Sequence, residues 1–164
     1  MPRSPGNQAD ILMSLVDRLV DSIEEATPAT VIVSMQPEPP QNVSKNLFLI
    51  VSPMEGSFDT DAFEGGAENV CIEQTGVVVT IYSAYKGRRG EEANDMVDPR
   101  RGMLEWKRRV IRALAGYDAS AGRDLPLTSL MEPLQSGRPE EAMDGRHASL
   151  MITFSLDIHW ELTD

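Results

Sequence analysis

The chain has 164 residues, enough for a single domain with a real core. Apolar residues make up 41% and charged residues 25%, close to globular averages, while an aromatic share of 5% leaves the core to Leu, Ile, Val and Met. A net charge of −11 and a pI near 4.6 argue against an outer surface built to grip phosphates and against a polybasic membrane patch.

The opening Met1-Pro2-Arg3-Ser4-Pro5-Gly6 carries no apolar signal core. No apolar run approaches the ~20 residues of a membrane span. The chain reads as made and kept in the cytosol, or packed into a particle assembled there. Residues 1–9 read as a flexible lead, and residues 10–164 as one α+β domain. Ile11, Leu12, Leu15, Val16, Leu19, Val20 and Ile23 recur at three- and four-residue steps, which predicts an amphipathic helix. Asp10 is its expected N-cap and Thr27-Pro28 its expected end.

Ala29 to Met35 is a short β-branched strand, broken by Pro37-Glu38-Pro39-Pro40. Asn46 to Ser52 is nearly continuously apolar, so both faces of that strand should be covered. Pro53 to Asn69 reads as an acidic loop. Val70 to Tyr85 is a third strand, with Gly76 as an expected bulge or bend. Lys86 to Val97 is a charged loop. Asp98-Pro99 should open a second helix as N-cap and N1. Met103, Leu104, Trp106, Val110, Ile111 and Leu114 give that helix its stripe, and Gly116 is a natural C′ residue. Tyr117 to Arg146 reads as a long irregular connection. From Leu150 every even position to Leu162 is apolar, and every odd one but Met151 is polar. Strict alternation predicts a strand with one buried face. Together these elements predict a mixed or antiparallel sheet of four to five strands, two helices on one face, and an opposite face that is polar.

The residues that carry chemistry do not assemble into a known motif. His159, beside Asp157 and Glu161, reads as a solvated sheet histidine, and His147 lies at a strand entrance. Cys71 has no nucleophile signature around it and reads as a buried structural thiol. Asp59, Asp61 and Glu64 resemble the start of a calcium loop, but Phe63 and Glu64 stand where a third ligand and a glycine are needed. Gly87-Arg88-Arg89-Gly90 lacks the ending of a phosphate loop. No catalytic, cofactor-binding or metal-binding residue is assigned, and no cofactor is expected.

One charge feature stands out against the acidic composition. Arg100, Arg101, Lys107, Arg108, Arg109 and Arg112 crowd the second helix. This reads either as a solvated helix face or as a basic face that meets the acidic loop of a neighbouring subunit; nucleic-acid contact is the third reading. The loops 53–69 and 86–97 are too polar to build a core, and they read either as ordinary surface loops or as segments that order on contact with a neighbouring subunit or project into a channel. The expected subunit interface comprises Asp59, Asp61, Glu64, Arg88, Arg89, Glu91, Glu92, Arg100, Arg101, Arg108 and Arg112.

The order of elements adds a likeness. The ILMSLVDRLVDSI helix, the VVVTIYSAY strand, the RGMLEWKRRVIRALAG helix and the closing HASLMITFSLDIHWEL strand together resemble the tail terminator (tail completion) proteins of long-tailed bacteriophages, the minor tail protein U-like family. The likeness is one of order and pattern over most of the chain, and the family has no diagnostic motif. It implies a non-enzymatic virion protein of the tail or neck, assembled in the host cytoplasm. Such proteins form a ring, usually six-fold, on the tail tube protein, and present a surface to the head–tail connector or stopper. DNA passes through the channel without specific binding, and an acidic lumen suits that passage. Another neck protein, a bacterial adaptor or chaperone-like binding module, and a small enzyme with an unrecognised site remain the alternatives.

Overall fold

A computed structural model describes residues 7–35, 47–58, 70–84, 100, 102–121, 126–141 and 147–161. The first helix, α1, spans Gln8–Ser22. Asn7, not Asp10, is its N-cap. The Asn7 side chain accepts from the Asp10 backbone N–H at 3.2 Å, and the Asp10 carboxylate accepts from the Asn7 backbone N–H at 2.9 Å. Asp10 is thus the third helical residue of a reciprocal capping box, one turn later than the expected role. The helix starts inside the stretch read as a lead. It stops at Ile23, whose backbone is extended, four residues short of Thr27. The interval is filled by turns, one of which Thr30 stabilises by accepting from the Thr27 backbone N–H at 2.9 Å.

Four strands follow: β1 Val31–Val33, β2 Leu47–Pro53, β3 Ser57–Phe58 and β4 Val70–Ala84. The second helix, α2, spans Met103–Leu114. Its N-cap is Gly102; Asp98 and Pro99, the expected cap pair, lie outside the described residues. Gly116 follows the C-cap Ala115 with φ +73°, the left-handed conformation expected at C′. Beyond it come β5 Leu127–Thr128, β6 Glu132–Ser136, β7 Glu140–Glu141 and β8 His147–Glu161.

The eight strand segments exceed the four or five expected, yet they occupy five positions across one mixed sheet. The order is β1-β2-β4-β8-β5, with β1 and β2 parallel and the other pairs antiparallel. β4 and β8 pair along their full lengths, from Val70↔Glu161 to Ala84↔His147. That ladder leaves each of them one further edge. β2 and β3 share the far edge of β4, and β5, β6 and β7 follow one another along the far edge of β8. Three short segments of the stretch read as an irregular connection therefore pair along one edge of β8.

Both helices lie on one face. Val77, Val79 and Ile81 of β4 stand beside Phe154, Ile152 and Leu150 of β8, and all six are buried with the stripes of α1 and α2. A helix of 15 residues is only ~22 Å long, whereas a strand of that length reaches ~50 Å. The remaining inner row is closed by the segment after α2: Ala119 and Met131 are fully buried there with Leu156 and Ile158. Trp160 packs half-buried at the margin and donates its indole N–H to Glu73 at 2.8 Å.

The opposite face departs from the expectation of a polar surface. Over β8 it carries Thr153, Ser155, Asp157 and His159, all half-buried. Over β2 and β4, Phe48, Ile50 and Tyr82 form a second buried cluster with Ile32 beside it. The continuous apolar run of β2 accounts for this, since successive side chains point to opposite faces. Gly76 also departs from its expected role. Pairing runs through it without a bulge, and a Cβ there would meet the Phe154 carbonyl oxygen at 2.5 Å.

Candidate functional site

Among the described residues, a cleft between the helices gathers four arginines. α1 is held against the end of α2 by Arg18, whose Nε donates to the Ala113 carbonyl at 2.9 Å. The same guanidinium stands 5.2 Å from the centre of the Tyr117 ring, a cation–π contact. The Tyr117 hydroxyl is 3.1 Å from Ser14 Oγ on α1. Arg109 ties the other end: its guanidinium lies 4.9 Å from the Trp106 ring and pairs with Glu25 at 2.8 Å. Between these ties runs a cleft of about 510 Å³, lined by Arg18, Ser22, Ile23, Glu24, Arg108, Arg109, Arg112 and Ala113.

Four guanidinium groups and one carboxylate line it. Glu105, beside the cleft, offsets part of that charge, accepting from Arg108 at 2.6 and 2.8 Å and from Arg109 at 2.9 Å. These hydrogen bonds, Arg108 first and Arg109 second, hold the Glu105 carboxyl down to about 2. They also raise both guanidinium groups above their usual range. Arg112 has no ion pair among the described residues and is exposed on the cleft wall. Such a wall attracts carboxylates or phosphates.

The outward stripe of α2 continues this surface. Leu104, expected in the core, is 44% exposed. A helix turns by ~100° per residue, and with Met103 buried the next residue faces outward. Leu104, Arg108 and Arg112 are four residues apart and share that outer face.

A second exposed feature lies across the sheet. Every residue of β6 is exposed, and among the described residues β6 pairs only with β8. Leu127, Leu130 and Leu134 along this edge are 66%, 56% and 64% exposed, and Met151 on β8 is 44% exposed. Large apolar side chains exposed at and beside a sheet edge are a common mark of a contact surface.

Of the expected interface residues, Arg108 and Arg112 meet at the cleft. Arg100 lies in the exposed turn before α2, where its carbonyl accepts from Arg109 Nη2 at 3.4 Å. Asp59, Asp61, Glu64, Arg88, Arg89, Glu91, Glu92 and Arg101 lie outside the described residues. Sequence reasoning missed Arg18 and Ser22 on α1 and Glu24 just beyond its end as parts of this wall. The signal was there for the first two, which fall four residues apart off the apolar stripe. Cys71 is buried in β4 across from Trp160. His159 is half-buried between Ile72 and Leu127, less solvated than expected. Among the described residues no three His, Cys, Asp or Glu side chains come together to hold a metal ion, and no helix is long and apolar enough to cross a membrane.

No protein-family model and no curated protein matches the chain. Among solved structures, a chain of the "Virion of native gene transfer agent (GTA) particle" aligns with a TM-score of 0.57 at 12% identity, covering 90% of this chain and 93% of that one. The match takes in nearly all of both chains, and at this identity it is a likeness of fold. This chain and that virion chain share an α+β architecture.

Proposed function

We propose that this chain is a structural protein of a phage-like virion. The carrying observation is the shared fold with a chain of a gene transfer agent virion, which spans 90% of one chain and 93% of the other. The finer reading is a tail terminator: a subunit that joins copies of itself into a ring, six-fold in this reading, on the end of the tail tube. That ring stops tube growth and offers a docking surface to the head–tail connector or stopper. Its role is mechanical, without catalysis. The net charge of −11 supports it, because a channel that repels phosphates lets DNA pass without sticking. The exposed β5–β7 edge and the arginine-lined cleft support it too, as surfaces suited to protein contact.

The test is direct. Purified chain is incubated with polymerising tail tube protein of its own particle and viewed by negative-stain electron microscopy. The expected result is tubes of uniform length bearing a ring at one end. Tubes that grow without limit and carry no ring overturn the terminator reading. A ring that forms on the head portal but never on the tube assigns the chain instead to the connector side of the neck.

A further inference from the structure

We infer that the β5–β7 edge of one copy docks on the outer face of the two helices of the next, with its carboxylates against Arg108 and Arg112; this rests on the ring reading above.

Residues 132–141 carry three carboxylates against one guanidinium. Glu132 and Glu140 are exposed and have no ion pair among the described residues. Leu134, 64% exposed, lies on the same edge. The helix face offers the complement in charge and in kind: exposed Leu104, then Arg108 and Arg112 at one-turn steps. Arg108 already has Glu105, so the cation that gains most from a new carboxylate is Arg112.

Charge selects the occupant. A basic stripe on a chain of net charge −11 calls for an acidic partner, and the chain's own edge is an acidic surface with apolar side chains to bury beside its charges. A second copy therefore fits better than a nucleic acid, which the remainder of the surface repels. Geometry supports the same occupant. The donor patch is a sheet edge and the acceptor patch is the outer side of the helical layer, so the contact is heterologous and both patches remain usable on every copy. Heterologous contacts of this kind close into a ring when the rotation per copy allows it.

The test uses the full chain as wild type, R108E/R112E, E132R/E140R, the quadruple variant that combines them, and L134S. All five substituted positions are exposed, so matching thermal melts should confirm that each form folds. Sedimentation velocity over a concentration series reads the self-association. Each double variant is expected to associate at least ~10-fold more weakly than wild type, because like charges then face each other. The quadruple variant should recover most of the loss. L134S, which leaves the charges alone, should also weaken association. The inference is overturned if folded double variants associate like wild type, or if the quadruple variant is no better than the doubles. In that outcome a wild-type ring still stands and only the contact assignment falls. A wild type that stays monomeric both alone and on tail tubes overturns the ring reading and this contact together.

Discussion

The two edges of β8 make opposite use of the same strand. Toward β4 it is paired over all fifteen residues, and its even-numbered side chains from Leu150 to Ile158 are sealed under helices and the segment after α2. Toward β5–β7 it is paired in short pieces by residues that bury almost nothing. Fold energy is concentrated on the first side, because apolar burial is the dominant favourable term there. On the second side the backbone ladder is interrupted, and the side chains of β6 remain available. A mutation on the first side should therefore act on stability, and one on the second should act on contact with other chains.

The sharpest way to break that division is Phe154→Ala. Phe154 is fully buried beside Val77, at the centre of the inner row. Its removal should cost ~3–5 kcal/mol through lost burial and the cavity left behind. Chemical denaturation reads this directly. A loss under ~1 kcal/mol would mean that the inner row is not the core.

Two glycines separate space from backbone geometry. At Gly76 an added methyl meets the Phe154 carbonyl oxygen, a backbone atom of the neighbouring strand that cannot swing aside. Gly76→Ala should cost ~1–3 kcal/mol by forcing the β4–β8 ladder apart. At Gly116 an added methyl meets nothing within 4 Å, but φ is +73°. Gly116→Ala should cost ~1 kcal/mol, from the left-handed backbone alone. Gly116→Asn should recover part of that loss, since asparagine tolerates this region, whereas Gly76→Asn should be worse than alanine. Equal responses of the two sites to Asn would erase the distinction.

The same contrast explains what the sequence made legible. Alternation in β8 and the 3.6-residue stripes of α1 and the core side of α2 are written by burial, so the inner row was readable from Leu150 onward. The β5–β7 edge was not. Glu132-Pro133-Leu134-Gln135-Ser136 contains a proline, no β-branched residue and no alternation. It becomes a strand because β8 offers an open ladder, which is information held elsewhere in the chain. The bulge between Pro133 and Gln135 shows the poor fit of that sequence to a regular strand. Leu104 was misread because an apolar residue next to a stripe looks like part of it. The cleft was half legible: the arginines of α2 were visible as a cluster, but their facing wall on α1 follows from packing between elements distant in sequence.

The smallest expected effect tests whether the charged rim contributes to folding at all. Glu105 is held at about 2 in the folded chain, against an ordinary value of 4.5. A folded-state value below the unfolded one means that the pairing with Arg108 and Arg109 stabilises the fold above pH 4.5. That contribution is lost as pH falls toward about 2, where the folded carboxylate takes up its proton. Arg108 is half-exposed, so solvent screening leaves only a small part of this pairing as stability. Glu105→Gln should therefore lower Tm at pH 7 by no more than ~2 °C. Its difference from wild type should shrink as pH is taken from 5 to 2, because wild type then loses the same interaction. Thermal melts of both proteins over that range measure the difference. A gap that is large at pH 7 and persists at pH 2 would mean that Glu105 acts through packing, and the rim would then belong with the buried side of the comparison. A small gap that closes on acidification leaves the Glu105 pairing with little part in folding, and the charge of Arg108 free to serve a contact with another chain.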